Sequence, residues 1–254
     1  MRFGVCTSVH NVEQVARAGF DYVECPVTEL AGMEEADFRA AIESVKRSGV
    51  TVDVCNIFFP GIRMTGPEVD TGVITEYVKR ALDRVARAGA SMVVLGNGGL
   101  RAIPDGWPWA DGVRQFTDVL RIIADGCEPY DITLLLEPLN KKETNLINTV
   151  AEGLALVRAV AHPRVKLLAD YYHMRVESDA PASIVAAGDW IGHLHFANGV
   201  ARGYPKDVAE DDYPPFVAAC KAVGSARRIS IEGRTDDFDT DAPAALCVMK
   251  ELFS

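Results

Sequence analysis

The sequence lacks the features that mark membrane, secreted and nucleic-acid-binding proteins. No segment reaches the ~18 uninterrupted apolar residues of a membrane span, and the N-terminus has no long apolar stretch of the kind found in signal peptides. No basic run is present, and 26 Lys and Arg residues against 36 Asp and Glu residues give a net charge of −10. Nucleic-acid binders normally carry positive charge that contacts phosphates. We therefore expect a cytoplasmic protein that binds neither membranes nor nucleic acid.

The chain also lacks any C-x-x-C pair, although it contains six cysteines. Several of them lie inside apolar runs, where cysteine behaves as a small hydrophobic residue. We expect reduced, mostly buried thiols, as is usual in the cytoplasm. The six are Cys6, Cys25, Cys55, Cys127, Cys220 and Cys247.

No linker, low-complexity tract or block of like charge divides the 254 residues. This length is typical of one α/β barrel, so residues 1–254 are predicted to form a single domain. An open doubly wound sheet is the structural alternative, and a nucleotide-binding sheet of this kind requires a glycine-rich phosphate-binding turn after an early strand. The nearest candidate, Gly96-Asn97-Gly98-Gly99, lacks the G-x-G-x-x-G spacing. We interpret it as a tight turn at the barrel mouth.

What the chain does contain is a regular alternation of short apolar runs with longer segments of helical period. Alternation of this kind predicts a parallel sheet with helices outside it, and eight strands are the number that a closed (β/α)8 barrel requires. The predicted strands are Phe3–Cys6, Tyr22–Cys25, Val52–Asn56, Met92–Leu95, Thr133–Glu137, Lys166–Asp170, Ile191–Phe196 and Arg228–Glu232. The predicted helices are Asn11–Ala18, Glu34–Ser48, Ile74–Ala88, Trp109–Gly126, Thr149–Val160, Ala182–Ala187, Pro214–Val223 and Pro243–Leu252.

The last four predicted strands each carry a carboxylate or an imidazole at the last residue or the one before it. These residues are Glu137, Asp170, His195 and Glu232. In a parallel barrel the C-terminal ends of the strands meet at one mouth, where function is located. Three acids crowded at that mouth would repel one another, and a buried carboxylate is costly without a partner.

A divalent cation would resolve this conflict by neutralising the acids. Three oxygen ligands and one nitrogen suit Mn²⁺, Mg²⁺, Co²⁺ or Zn²⁺, and the lack of thiolate ligands favours a harder or borderline ion. The alternative is that the acids form salt bridges with arginines. The arginines considered for this role are Arg175, Arg202, Arg228 and Arg234.

Five segments carry a resemblance to the xylose isomerase-like barrel superfamily, and within it to the sugar phosphate isomerase/epimerase group. That group includes ketose 3-epimerases, hydroxypyruvate isomerases and inosose-processing enzymes. The likeness covers the whole chain and is strongest from Glu137 to Glu232. The segments are Leu136-Glu137-Pro138-Leu139-Asn140, Glu143 with Asn148-Thr149, Asp170-Tyr171-Tyr172-His173-Met174, His193-Leu194-His195 and Ile231-Glu232-Gly233-Arg234.

The resemblance implies a single (β/α)8 TIM barrel that holds one divalent metal ion, with Mn²⁺ preferred. The implied metal ligands are Glu137, Asp170, His195 and Glu232. Of these, Glu137 and Glu232 would also serve as catalytic acid and base on opposite faces of a small sugar substrate. A homo-oligomer is the family expectation.

The implied substrate contacts are Glu143, His173 and Arg202, which lies one residue from the family's usual position. Two further residues were considered from their place in the chain. Trp107, in the loop after the fourth strand, could wall the sugar site or pack the loop down. Glu24, at the end of the second strand, could contact substrate or the ligand shell, or pair with an arginine.

The implied reaction is removal of a proton from a carbon beside a carbonyl, with a metal-stabilised enediolate as intermediate. Return of the proton gives an isomerase or an epimerase. Three alternatives remain open: a lyase or dehydratase using the same enolate, a non-catalytic sugar-binding subunit, and an abasic-site endonuclease. The last would need extra histidines after the third and fourth strands, where Asn56 and Gly96-Asn97 stand instead.

Overall fold

The computed structural model of the chain describes residues 1–224 and 226–254. Within these residues eight parallel strands close into a barrel, in which each strand pairs with its neighbours in sequence and the last pairs with the first. The strands are β1 (Arg2–Cys6), β2 (Tyr22–Pro26), β3 (Thr51–Asn56), β4 (Met92–Leu95), β5 (Thr133–Leu136), β6 (Val165–Asp170), β7 (Ile191–Phe196) and β8 (Arg228–Ile231). The predicted fold is confirmed.

Helices follow the strands and cover the outside of the barrel. Three short 3-10 turns, Val9–Asn11, Glu128–Tyr130 and Gly188–Trp190, accompany them. The α-helices are α1 (Val12–Ala18), α2 (Val27–Gly32), α3 (Glu35–Ser48), α4 (Thr71–Ala88), α5 (Gly98–Arg101), α6 (Trp109–Cys127), α7 (Val150–Val160), α8 (Tyr171–Glu177), α9 (Ala182–Ala187), α10 (Tyr213–Val223) and α11 (Phe238–Phe253).

Local sequence explains where the longer helices begin and end. The Asp70 carboxylate accepts hydrogen bonds from the first backbone N–H groups of α4, which have no partner within the helix. The same helix ends at Gly89, whose φ of 94° is the left-handed conformation that glycine adopts without a Cβ penalty. A capping box of Thr149 and Glu152 begins α7. These signals set the lengths of the helices that return the chain to the next strand.

The barrel interior divides into an apolar plug and a polar mouth. Side chains from β2 to β6 form a separate buried cluster, which fills the barrel as in other (β/α)8 folds. Its members are Tyr22, Val54, Met92, Val94, Leu135 and Leu168. The second, larger cluster joins the strands to the helices. Polar groups at the C-terminal strand ends therefore stand on a rigid, packed base.

Three short helices add to the predicted elements. α2 and α8 follow β2 and β6 without a loop, and α5 begins at Gly98. The segment predicted as a tight turn does reverse at Asn97, where φ is 41°, but it then continues into this single helical turn. Two predicted strands are one residue shorter, so that Glu137 and Glu232 lie directly after β5 and β8.

All six cysteines lie in the described part of the chain and are free thiols, and four of them are buried. This agrees with the expectation of reduced, mostly buried cysteines. No helix in residues 1–224 or 226–254 is at once long and apolar enough to cross a membrane.

Candidate active site

Four neighbouring strands bring the predicted ligand residues to one mouth of the barrel. Glu137 follows β5, Asp170 ends β6, His195 lies in β7 and Glu232 follows β8. The ring Nδ1 of His195 lies 3.2 Å from Glu137 Oε1 and 3.4 Å from Glu232 Oε2. Glu137, Asp170 and His195 are buried, and Glu232 is partly exposed. The polar groups thus converge from strands that are far apart in sequence.

A group of residues that could hold a metal ion lies at this mouth. Glu137, Asp170, His173 and Glu232 each offer one ligand atom, and these atoms all lie within 4.8 Å of one another. His195 reaches the same group through Nδ1, while its Nε2 faces Glu24. Two histidines, His173 and His195, could therefore provide the nitrogen ligand.

The hydrogen bonds of the two imidazoles distinguish between them. The backbone N–H of Asn140 donates to His173 Nδ1 at 3.1 Å, so Nε2 carries the hydrogen in a neutral ring. Arg202 Nη2 lies 3.3 Å from that Nε2 and is also a donor. The backbone contact sets the tautomer, because the amide N–H is fixed whereas the guanidinium can turn away. His195 has the opposite arrangement, because its Nε2 meets a carboxylate. Its Nδ1 is the nitrogen on the side of Glu137 and Glu232, where it could bind a cation held by those acids.

Burial and mutual repulsion set the charges of the acids. Burial, followed by the charges of Glu137 and Glu232, raises the pKa of Asp170 to about 7. Burial and the charge of Glu232 also raise the pKa of Glu137. Burial acts in the same direction on Glu232, but His195 and Arg202 outweigh it and lower the pKa of Glu232 to about 2. Opposing effects meet at His195 too, where Glu24 and Glu232 outweigh burial and raise the pKa well above its usual value.

These residues fit a divalent cation. The Asp170 Oδ2 atom is buried and has no hydrogen-bond partner among the described residues. An orphaned carboxylate oxygen is costly in an apolar interior, and a cation would satisfy it. The donor set of carboxylate oxygens and one imidazole nitrogen suits Mn²⁺, Mg²⁺, Co²⁺ or Zn²⁺.

Arg202 links the acids to a second group of polar side chains. Its guanidinium donates to Glu232 Oε2 at 2.7 Å and to Glu143 Oε1 at 3.1 Å, and it lies over the ring of Tyr172. Its backbone is left-handed, with a φ of 51°. The displaced position of Arg202 in the sequence therefore still brings its side chain to the site. The salt-bridge alternative holds in part, because Glu232 has an arginine partner.

A cavity of about 240 Å³ opens between these groups. Gly96 leaves room for Glu137, since a Cβ on Gly96 would lie 2.5 Å from Glu137 Oε2. Its lining combines charged side chains, the amides of Asn56 and Asn97, and apolar side chains. The lining residues are Asn56, Ile57, Val94, Gly96, Asn97, Gly98, Glu137, Leu139, Glu143, Arg202 and Glu232. The cavity can hold a small polar molecule against two carboxylates.

The xylose isomerase-like TIM barrel family model matches residues 12–252 of this chain. The chain belongs to that family. Among curated proteins it is 35% identical over 133 residues to an L-ribulose 3-epimerase of Methylomonas, which covers 52% of this chain and 46% of the relative. It is 29% identical over 203 residues to a D-psicose 3-epimerase of Agrobacterium fabrum, which covers 72% of this chain and 65% of the relative. The matches thus span about half to two thirds of these curated relatives.

Solved structures of the family share the fold over nearly the full length. A D-psicose 3-epimerase crystallised in the presence of D-fructose superposes with a TM-score of 0.88 at 21% identity, covering 100% of this chain and 99% of the other. A protein from Brucella melitensis described as AP endonuclease, family 2 gives a TM-score of 0.81 at 21% identity, covering 98% of each chain. At such identities the likeness concerns the barrel alone.

Three of the predicted substrate contacts, His173, Trp107 and Glu24, are absent from the lining of the cavity. His173 is buried beside Asp170, with Nε2 3.6 Å from Asp170 Oδ2. The side chain of Trp107 is partly buried and packs against the hydrophobic core, so that it holds its loop against the barrel. Glu24 is completely buried behind His195, with its carboxylate 2.9 Å from both His195 Nε2 and His193 Nε2. The Glu24 carboxylate thus contacts the imidazole of His195 and lies outside the cavity lining.

Two polar residues of the site were missed in the sequence. Asn140 fixes His173 through its backbone, and Ser230 donates to Glu24 Oε2 at 2.6 Å. Ser230 could have been found, because it lies two residues before Glu232 and strand side chains alternate. No sequence signal marks Asn140 as the partner of a histidine 33 residues away.

Proposed function

We propose that this chain is a divalent-metal-dependent epimerase of a small keto-sugar. One observation carries the proposal. Two carboxylates, Glu137 after β5 and Glu232 after β8, line one small cavity and both approach Nδ1 of His195. A pair of carboxylates around one cavity can remove a proton from a bound carbon acid and return one to it.

The proposed metal ligands are Glu137, Asp170, Nδ1 of His195 and Glu232, with Mn²⁺ as the preferred ion. The orphaned Asp170 oxygen and the hydrogen-bonding pattern of His195 support this set. Bound there, the cation would polarise the ketone and adjacent hydroxyl oxygens of the sugar.

The protein residues would then move and hold protons. One of Glu137 and Glu232 removes the proton beside the carbonyl, and the other returns a proton to the opposite face of the same carbon. His173, with the hydrogen on Nε2, donates to a substrate oxygen. Glu143 and Arg202, joined at 3.1 Å, hold a hydroxyl. Return to the opposite face inverts the carbon, which is epimerisation.

The relatives sharpen the proposed reaction. Those with the matches described above are an L-ribulose 3-epimerase and a D-psicose 3-epimerase. We therefore propose a ketose as substrate and carbon 3 as the reacting position. A lyase or dehydratase built on the same proton removal is separated from this proposal by its product.

The test is hydrogen exchange in D2O. Manganese-loaded protein is incubated with D-fructose, D-psicose or L-ribulose, and deuterium at carbon 3 and the 3-epimer are measured by NMR. Glu137→Gln and Glu232→Gln should each lower the exchange rate at least ~10²-fold, the usual contribution of a general acid or base. Glu13→Gln, at an exposed site on α1, is the control and should exchange at the wild-type rate.

Three results would contradict the proposal. A dehydrated product in place of the epimer would assign a lyase. Metal binding without exchange into any of the ketoses would favour a sugar-binding protein. Cleavage of a duplex containing an abasic site would assign a nuclease.

A further inference from the structure

A carboxylate that does not face the cavity lies directly behind the proposed histidine ligand. Glu24 belongs to β2, is completely buried, and places Oε1 2.9 Å from Nε2 of His195. The opposite ring atom, Nδ1, faces Glu137 and Glu232. His195 thus stands between a carboxylate on its inner side and the proposed metal centre on its outer side.

Glu24 is itself fixed by donors from two other strands. Its Oε2 atom accepts from Ser230 Oγ of β8 at 2.6 Å and lies 2.9 Å from Nε2 of His193 of β7. Tyr22 Oη lies 2.8 Å from the Ser230 hydroxyl and completes the chain. Since Oε2 is occupied in this way, Oε1 is left for His195.

This arrangement places a hydrogen on Nε2 of His195. A carboxylate only accepts hydrogen bonds, so the ring must donate from Nε2. Nδ1 faces the other two carboxylates, Glu137 at 3.2 Å and Glu232 at 3.4 Å. When these acids share a cation, Nδ1 would offer it a lone pair while the hydrogen on Nε2 stays with Glu24. Metal-bound histidines commonly donate their other N–H to a carboxylate in this manner, which fixes the tautomer and the ring orientation.

We propose that Glu24 is a positioning residue that holds His195 with its Nδ1 lone pair directed at the metal site. The inference rests on the proposed function, since it assumes the metal centre, but it assigns Glu24 a role separate from substrate binding. His193 and Ser230 act one step further away, by holding Glu24.

A buried carboxylate could also be purely structural, and a matched residue separates the two roles. Asp53 is a second buried carboxylate of the barrel, and it pairs with Arg228 at 2.6 Å and Arg2 at 3.1 Å near the starts of β8 and β1. It lies at the opposite end from the proposed metal site. Asp53→Asn therefore removes a buried charge without touching His195.

The first measurement is the affinity for Co²⁺. Protein prepared without metal is titrated with Co²⁺, and binding is monitored by the visible absorption of the bound ion. Glu24→Gln should bind Co²⁺ about 10- to 100-fold more weakly than the wild type, the usual loss when such a partner is removed. The glutamine keeps the size of the side chain, but it no longer requires a hydrogen on Nε2. Asp53→Asn should lose stability and keep the wild-type Co²⁺ affinity.

The second measurement needs no variant at position 24. In Zn²⁺-loaded wild-type protein labelled with ¹⁵N-histidine, the His195 ring should show hydrogen on Nε2 and none on Nδ1. His195→Gln assigns the signals by their loss. This readout stands even where Glu24→Gln fails to fold.

The outcomes separate this inference from the proposed function. Glu24→Gln affinity within twofold of the wild type would overturn the role of Glu24 and leave the metal centre intact. Hydrogen on Nδ1 of His195 in the Zn²⁺-loaded protein would overturn the role of Glu24 and also remove His195 from the ligand set, leaving the three carboxylates. A wild-type protein that binds neither Co²⁺ nor Zn²⁺ would overturn the metal centre itself, and the role of Glu24 with it.

Discussion

Asp170 is the acid whose ionisation conflicts most with its surroundings. Its pKa is raised to about 7 by burial and by Glu137 and Glu232, whereas an unfolded chain has an Asp pKa of ~3.9. Between these values the folded protein holds a proton that the unfolded chain has released. Rising pH across this window therefore destabilises the metal-free fold.

Asp170→Asn should reverse this effect. We expect metal-free Asp170→Asn to be more stable than the wild type at pH 7.5 by roughly 2–4 kcal/mol, with the difference disappearing as the pH falls to ~4. The Oδ1 atom, which accepts from the N–H of Tyr172 at 2.7 Å, is retained by asparagine. The measurement is urea unfolding at several pH values.

Comparison of the wild type with Asp170→Asn in the presence of metal provides the control. Added Mn²⁺ should stabilise the wild type and leave Asp170→Asn unchanged, so that the order of stability inverts. A variant less stable than the wild type at every pH would show that Asp170 is held by contacts other than a metal ion.

Gly96 tests how closely the cavity wall fits Glu137. A Cβ at Gly96 would lie 2.5 Å from Glu137 Oε2, so Gly96→Ala must displace that carboxylate. We expect the D2O exchange rate to fall ~10²-fold, the effect of misplacing a catalytic group by about 1 Å. Gly99→Ala is the control, because a Cβ there has no neighbour within 4 Å. Equal rates in both variants would mean that Glu137 does not need its present position.

The sequence predicted a group of residues that meet at one mouth of the barrel. The ends of the last four predicted strands located Glu137, Asp170, His195 and Glu232, and the closed barrel brings these ends to one mouth. What could not be predicted is the contact between Glu24 and His195, residues 171 apart in the chain. Whether two inward side chains touch depends on strand stagger and rotamer, which local patterns do not specify.

The loop between β5 and α7 is the element that carries Glu143 to the cavity. It is held by Asn148, which is buried and whose side-chain amide donates to the carbonyls of Leu139 and Thr144 at 2.7 and 3.0 Å. Asn140 secures Glu143 from within the loop by a hydrogen bond of 2.9 Å. The loop is therefore ordered by its own amides rather than by apolar packing alone.

Asn148→Ala should loosen this loop. Unsatisfied buried carbonyls cost ~1–3 kcal/mol each, and we expect stability to fall by about that amount in total. Because Glu143 is proposed to hold substrate, KM should rise several-fold more than kcat falls. Steady-state epimerisation measures both.

A matched control comes from the next residue. Thr149→Ala removes the cap of α7 and should cost ~1 kcal/mol while leaving KM unchanged. If both variants raise KM equally, the effect is general loss of stability and Asn148 has no specific part in holding Glu143.

The sequence predicted the strands and the helices that return the chain to the next strand, but it missed three short helices, α2, α5 and α8. The strands and α6 follow from apolar spacing, and α3 and α4 follow from apolar spacing together with the glycines that end them, Gly49 and Gly89. The single-turn helix α5 and the helix α8, which follows β6 without a loop, are too short to show a period. α8 nevertheless matters, because it places His173 beside Asp170.

In the whole molecule, the acidic mouth attracts a cation and the closed barrel connects the strands that would bind it. The net charge of −10 and the acids at the strand ends both repel phosphate backbones, whereas a divalent cation is attracted. The proposed ligands come from β5, β6, β7 and β8, which form half of the closed sheet. A cation bound by all four would tie these strands to one another.

Metal binding should therefore stabilise the entire barrel and not the mouth alone. A ligand that binds only the folded state stabilises it by ~2.7 kcal/mol at 100 times its Kd, which corresponds to a rise in Tm of roughly 5–10 °C for a domain of this size. Hydrogen exchange should slow in β1 to β4 as well as in the strands that carry the ligands, because a closed sheet has no free edge at which to open. Protection confined to β5–β8, with Tm unchanged, would mean that the two halves of the barrel open separately.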